Sequence, residues 1–253
     1  MSSPTTLLAP RRHTAFLAAL LALVLLLVMA DCERDPGPYN PTPGDTIWHR
    51  TSATVPQRIL ILGDSILASS EIPVPADRFD ARLVEALSIS PARVANGAVS
   101  GLTLVGAHPN LVDRAPALLA ALSPGGVVVI DIGMNDACGA LPLATFTAAY
   151  ATLLTQIQTL GLHVLVGLVT PVMPALWACE TERQQIDSWL SATYPDTVID
   201  YPAVLRATTG WIEPRKATED GKHPDEGGTA EIADATAAAL RGRSWWVGVR
   251  VIG

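Results

Sequence analysis

Ile59-Leu60-Ile61-Leu62-Gly63-Asp64-Ser65 is the stretch on which the reading of this chain turns. Four consecutive apolar residues closed by a glycine have the length and composition of a strand buried on both faces. Gly63 can take a conformation barred to other residues, so the chain can turn there and present Ser65 at the start of a helix. A serine hydroxyl is a poor nucleophile until a neighbouring base removes its proton, so the rest of the chain must supply one.

Outward from this strand the pattern repeats. Val127–Ile132 is a second β-branched run closed by glycine, and His163–Val169 is a third, stopped by Thr170-Pro171. Thr197–Ile199 reads as a short strand. Asp77–Leu87 has helical spacing, and Phe146, Tyr150, Leu153, Leu154, Ile157 and Leu160 recur at offsets of three and four along one face of a long helix. Gly161 is placed to end that helix. Glu180–Leu190 and Glu226–Leu240 read as two more, the last with Ile232, Ala233, Thr236, Ala239 and Leu240 inward. Buried strands alternating with amphipathic helices predict an α/β fold, a three-layer α/β/α sandwich around a central, mostly parallel sheet. Such sheets place their sites beyond the carboxyl ends of the strands, where Ser65 would stand.

Three further islands supply what Ser65 lacks. Asp220-Gly221-Lys222-His223 puts an acid three residues before a histidine in a glycine-containing loop closed by Pro224, so one short turn presents both. Asp220 can then orient one imidazole nitrogen of His223 and leave the other to face Ser65. Of the other histidines, His13 lies in an N-terminal apolar segment, His49 in a Pro-rich stretch, His108 before Pro109 in a loop, and His163 at the start of a strand. The stretch from Asn96 to Gly101 and the run Gly133-Met134-Asn135-Asp136 offer donors for a developing oxyanion: a glycine N–H and the Asn135 amide, beside the N–H of Ser65. Taken singly, each island is an ordinary turn. In this order they compose an acyl-transfer site.

With these motifs the chain resembles the SGNH hydrolases, the GDSL-type esterase/lipase superfamily, from about Arg58 to Arg241. The match rests on Gly-Asp-Ser at 63–65, Gly-x-Asn-Asp at 133–136 and Asp-x-x-His at 220–223, with Ile66 in place of the family's leucine. Asn96-Gly97-Ala98-Val99-Ser100-Gly101 admits either glycine, and the family pattern favours Gly101, after a serine and shortly before a threonine. The resemblance implies the flavodoxin-like sandwich of that superfamily, catalysis by Ser65, Asp220 and His223, and an oxyanion hole from Ser65, Gly101 and Asn135. It implies a serine esterase working through an acyl-enzyme on carboxylic esters, with no cofactor; the chain's modest size and lack of a carbohydrate-binding module favour short-chain acyl or acetyl groups. Asp64 and Asp136 invite a metal reading, but no His or Cys joins them at ligand spacing, so they are expected to hold loops through backbone hydrogen bonds. Asp131, inside a strand, reads as a buried, paired carboxylate whose role is open.

At 253 residues, with 49% hydrophobic and 16% charged residues, the chain can bury one substantial core. A net charge of -7 disfavours nucleic acid and anionic surfaces as partners, which demand clustered Lys and Arg. Arg11, Arg12 and His13 precede an unbroken apolar run, residues 15–30, that ends at Asp31. This is the export pattern, a signal peptide cleaved after Ala30 or an uncleaved membrane anchor over residues 1–30. The expected location is secreted or extracytoplasmic, with a possible tether through residues 15–30. Asp31 before Cys32 argues against lipidation. Residues 31–56, rich in Pro, Gly and Thr, read as a linker or extended lead-in, 57–241 as the hydrolase domain and 242–253 as a C-terminal tail. In an oxidising compartment Cys138 and Cys179 are expected to pair, leaving Cys32 outside the bridge, in the N-terminal lead-in; three buried or free thiols are the alternative.

Two rival functions share these residues. Acyl transfer to a sugar or alcohol uses the same acyl-enzyme and differs only in water access. A catalytically silent binding module on the same fold would be expected to have lost a triad member, and none is missing. The GxSxG elbow of the α/β-hydrolases is absent. Met173, Leu176 and Trp177, on a Pro-rich loop after a strand, are candidates to line an acyl pocket for a small-molecule, polysaccharide or lipid ester.

Overall fold

A computed structural model of the chain describes residues 46–50, 55–106, 109–173, 178–207, 210–243 and 246–250, the first and last of these as backbone only. Residues 1–30, read as a signal peptide or anchor, Cys32, His108, Leu176 and Trp177 lie outside the described residues.

Five parallel strands form the central sheet: β2 (Ile59–Gly63), β3 (Val94–Asn96), β4 (Val127–Asp131), β5 (His163–Gly167) and β6 (Val198–Ile199), in the spatial order β3-β2-β4-β5-β6. A separate antiparallel ribbon pairs β1 (Thr46–Arg50) with β7 (Trp246–Arg250), Trp48 opposite Gly248. Strands therefore occupy part of the stretch read as a lead-in and part of the tail; an isolated pair of five-residue runs carries little periodicity.

Both faces of the sheet are covered, because successive strand residues point to opposite sides. Leu60, Leu62, Val128 and Ile130 face α3 (Leu111–Leu119), α5 (Leu143–Thr159) and α6 (Glu180–Thr193). Ile59, Ile61, Val127 and Val129 face α2 (Phe79–Leu87), α7 (Tyr201–Leu205) and α8 (Glu226–Arg241). Every residue of β2 and β4 is buried, which is why these strands read as unbroken apolar runs. This is the expected three-layer sandwich.

Several boundaries differ from the sequence reading. Phe79 begins α2 because Pro75–Asp77 forms a separate 3-10 turn. Ile132 lies just beyond β4, and Leu168 and Val169 beyond β5, as buried residues leading into loops. Leu160, read as part of the inward face of α5, caps its C-terminus and is 47% exposed. Gly161 follows in the left-handed region at φ +68°, as its helix-ending role requires.

The strand order reverses direction between β2 and β4. In a doubly wound sheet the loops after those two strands diverge and open a crevice. Ser65 follows β2 and Asn135 follows β4, so both stand at that switch point.

Candidate active site

A one-turn helix, α1 (Ser65–Ala68), starts immediately after β2. Asp64 caps it, its Oδ1 accepting from the Ile66 N–H at 3.0 Å. Gly63 is glycine for a different reason from the one read in the sequence. Its φ is outside the left-handed region, and a Cβ there would sit 2.4 Å from the Asp131 carbonyl oxygen of β4. Close approach of the two strands excludes a side chain.

The loop before α8 delivers the partner groups. Nε2 of His223 lies 2.7 Å from Oγ of Ser65, and its Nδ1 bonds Oδ2 of Asp220. The other Asp220 oxygen accepts from Thr218 Oγ1 at 2.7 Å and from the N–H groups of Lys222 and His223 at 2.9 and 3.1 Å. Burial raises the Asp220 pKa, but these donors outweigh it and hold the carboxyl well below the usual range. Asp220 therefore stays ionised, with one oxygen fixed by the turn and one aimed at the imidazole. Thr218 also donates its N–H to the His223 carbonyl at 2.8 Å, closing the turn. The Met173 N–H donates to the Gly221 carbonyl at 2.8 Å, so this candidate pocket residue braces the histidine loop.

The two glycines of the second island differ in their surroundings. Gly97 spends its N–H on the Ile61 carbonyl at 2.8 Å, and a Cβ there would meet Leu118 at 2.9 Å. Gly97 is a packing glycine. Gly101 sits in a tight turn between Val99 and Leu102 with φ +74° and open space where a Cβ would be. Its conformation calls for glycine, and its surroundings leave room for a ligand.

Asn135 lies on α4 (Met134–Cys138), the single turn after β4. Its Nδ2 donates to the Leu102 carbonyl at 3.0 Å and to Asp64 Oδ2 at 3.2 Å, and its Oδ1 accepts from Lys222 Nζ at 2.8 Å. The next residue, Asp136, accepts the Leu104 N–H on both oxygens. The loops after β3 and β4 are thus stitched through adjacent residues, and Asp64 and Asp136 do hold loops by hydrogen bonds. Burial raises both of their pKa values to about 6, against opposing backbone donors. Asp131 is buried, but its Oδ2 has no protein partner; burial, then the charges of Asp64 and Asp187, push its pKa well above the usual value. The pairing expected of it is therefore absent at that oxygen, and its surroundings favour the neutral form.

Cys138 and Cys179 form a disulfide, with Cα atoms 4.6 Å apart, joining the end of α4 to the start of α6. Arg183 on α6 is wholly buried and donates to Glu180, Asp187 and the Val169 carbonyl, while Asp187 accepts the Val169 N–H at 2.8 Å. That network fixes the loop running from β5 to Met173.

Two partners were missed in the sequence: Lys222, which reaches Asn135, and Thr218, which supports Asp220. Lys222 stands between Asp220 and His223, but its link to Asn135 exists only in the folded chain. Among the described residues, no three His, Cys, Asp or Glu side chains gather in a metal-binding arrangement, and no helix is long and apolar enough to cross a membrane.

The sequence model of the GDSL-like Lipase/Acylhydrolase family matches residues 61–230. The chain belongs to that family. It is therefore an ester-hydrolysing enzyme. Solved structures share the fold at low identity. A protein of the lipolytic G-D-S-L family from Desulfitobacterium hafniense DCB-2 aligns with a TM-score of 0.61 at 19% identity, over 73% of this chain and 99% of its own. A GDSL-like lipase from Bacteroides thetaiotaomicron VPI-5482 gives 0.58 at 18% identity, over 74% and 88%. A catalytic mutant of an acetylxylan esterase from Geobacillus stearothermophilus gives 0.56 at 18% identity, over 75% and 96%. No curated protein matches the chain.

Proposed function

We propose that this family member is an exported serine esterase in which Ser65, His223 and Asp220 form the catalytic triad. The observation that carries the reading is the 2.7 Å contact between Ser65 Oγ and His223 Nε2, backed by Asp220 on the opposite ring nitrogen. His223 takes the hydroxyl proton as Oγ attacks the ester carbonyl carbon, and Asp220 stabilises the imidazolium without accepting its proton. The carbonyl oxygen becomes an oxyanion, received by the N–H groups of Ser65 and Gly101 and by the Asn135 amide. As the carbon–oxygen bond to the alcohol breaks, the imidazolium protonates the leaving oxygen, and Ser65 carries the acyl group. Water then repeats the attack with His223 again as base, releasing the acid and restoring the serine.

Both Asn135 hydrogens are directed at protein acceptors. The Asp64 bond is the longer, at 3.2 Å, so that hydrogen is the one an incoming oxyanion would share. The Asp220 side chain is 46% exposed and that of His223 13%, which leaves water access to the triad and favours hydrolysis over transfer.

A short acyl or acetyl group is the proposed substrate type, and acetylated carbohydrate is one source to try, since an acetylxylan esterase shares the fold. The disulfide supports export to an oxidising compartment, in line with the apolar segment at residues 15–30. The test is hydrolysis of p-nitrophenyl esters from acetate to palmitate by the purified chain, beside Ser65→Ala. Loss of activity in the variant and a short-chain optimum are expected. Full activity of Ser65→Ala would sink the assignment.

A further inference from the structure

We propose that Lys222 is a positioning residue for the Asn135 amide, fixing its orientation and strengthening its N–H donors toward the oxyanion. This rests on the triad and oxyanion reading above and extends it. A side-chain amide can be turned end for end, and only one of its two orientations offers hydrogens to an anion. Around Asn135 three groups select that orientation. The Leu102 carbonyl and Asp64 Oδ2 are acceptors on one side, at 3.0 and 3.2 Å, and the Lys222 ammonium is a donor on the other, at 2.8 Å. Turning the amide would set its oxygen against a carbonyl and a carboxyl and its NH₂ against a cation.

The lysine does more than select. An ammonium on Oδ1 draws electron density along the amide, so the Nδ2 hydrogens carry more positive charge. Placement follows from the turn: Asp220 is bonded to His223 and His223 to Ser65, and Lys222, between them, crosses to α4. The base of the triad and the donor of the oxyanion hole are therefore positioned by adjacent residues of one loop. Asp64 is the other charge in range, and Lys222 lowers its pKa while burial raises it. Any test must separate an effect through Asn135 from one through Asp64.

The experiment measures kcat and KM of the full chain for p-nitrophenyl acetate in Lys222→Met, Lys222→Arg, Asn135→Ala and the double variant Lys222→Met/Asn135→Ala. Loss of a charged hydrogen bond predicts a fall in kcat of about tenfold or more for Lys222→Met with KM nearly unchanged. Lys222→Arg should recover part of that loss. In the Asn135→Ala background, removing Lys222 should cost no more than about twofold, because its effect runs through the missing amide. Three results would overturn the proposal: an unaltered kcat in Lys222→Met, a raised KM at constant kcat, or losses that multiply in the double variant. Should Lys222→Met fail to fold, Lys222→Gln takes its place in the same cycle. If Ser65→Ala stays active the site itself is misassigned, whereas an inactive Ser65→Ala with an unaffected Lys222→Met removes the lysine role alone.

Discussion

Asp136 holds the backbone N–H of Leu104 with both of its carboxylate oxygens, at 2.9 and 3.1 Å. It does so from a buried position that raises its pKa from 3.8 to about 6, and Asp64 is shifted by the same cause to about 6. An unfolded carboxyl would titrate near 3.8, so the folded state binds more protons across the interval from about 4 to 6. The stability these groups contribute is present at acid pH and is lost as pH rises through that interval. The thermal midpoint is therefore expected to be higher at pH 5 than at pH 7.5, and Asp136→Asn should shrink the difference. A midpoint that rises steadily from pH 5 to 7.5 would contradict this.

Asp220 should behave in the opposite sense to Asp64 and Asp136. Its carboxyl is held well below the usual range, so it remains charged throughout the working range of the enzyme. Asp220→Asn keeps the shape of the turn but offers His223 an amide, and is expected to lower kcat by roughly 10⁴. Steady-state kinetics on p-nitrophenyl acetate would check it; a loss below about tenfold would mean that the histidine is oriented by something else.

Gly97 and Gly101 are expected to fail differently. Gly97→Ala brings a Cβ against the Leu118 side chain, which should lower the thermal midpoint while leaving kcat of the folded fraction near its original value. Gly101→Ala meets no neighbour, but its φ of +74° costs an L-residue about 1 kcal/mol and strains the turn that presents its N–H. There the loss should appear in kcat. If the two variants exchanged these phenotypes, the oxyanion role of Gly101 would fall.

The disulfide closes a loop of 41 residues, for which the chain-entropy estimate is about 4 kcal/mol. Denatured, unreduced protein that retains Cys32 should show a single free thiol, and reduction should lower the thermal midpoint by several degrees. Three free thiols before reduction would contradict the bridge.

Arg183 is wholly buried among Glu180, Asp187 and the Val169 carbonyl. Arg183→Ala would leave two buried acids facing each other without a cation, at an expected cost of about 3–5 kcal/mol in chemical denaturation. A cost under about 1 kcal/mol would show that the network contributes little.

Much of the fold was open to sequence reasoning because β2 and β4 are buried on both faces and so leave unbroken apolar runs. What escaped did so for local reasons. The three residues of β3, none of them fully buried, are too few to show a period. Pro116 interrupts α3, although Leu111, Ala115 and Leu119 keep its inward face. Ser65, Asp220 and His223 were readable because motif spacing carries their chemistry. Lys222 was not, because its partner Asn135 lies 87 residues away and only the folded sheet brings them together. Nor could spacing say why residue 63 is glycine: the cause is a strand neighbour, Asp131, not its own backbone angle.

The sequence separation of 158 between Ser65 and His223 also sets a timetable for the growing chain. The proposed nucleophile is synthesised well before its proposed base, which lies on the loop that leads into α8. A partly made or C-terminally truncated chain holds the serine without the group that activates it. On the proposed triad, esterase activity can thus switch on only after the loop that bears His223 has been made.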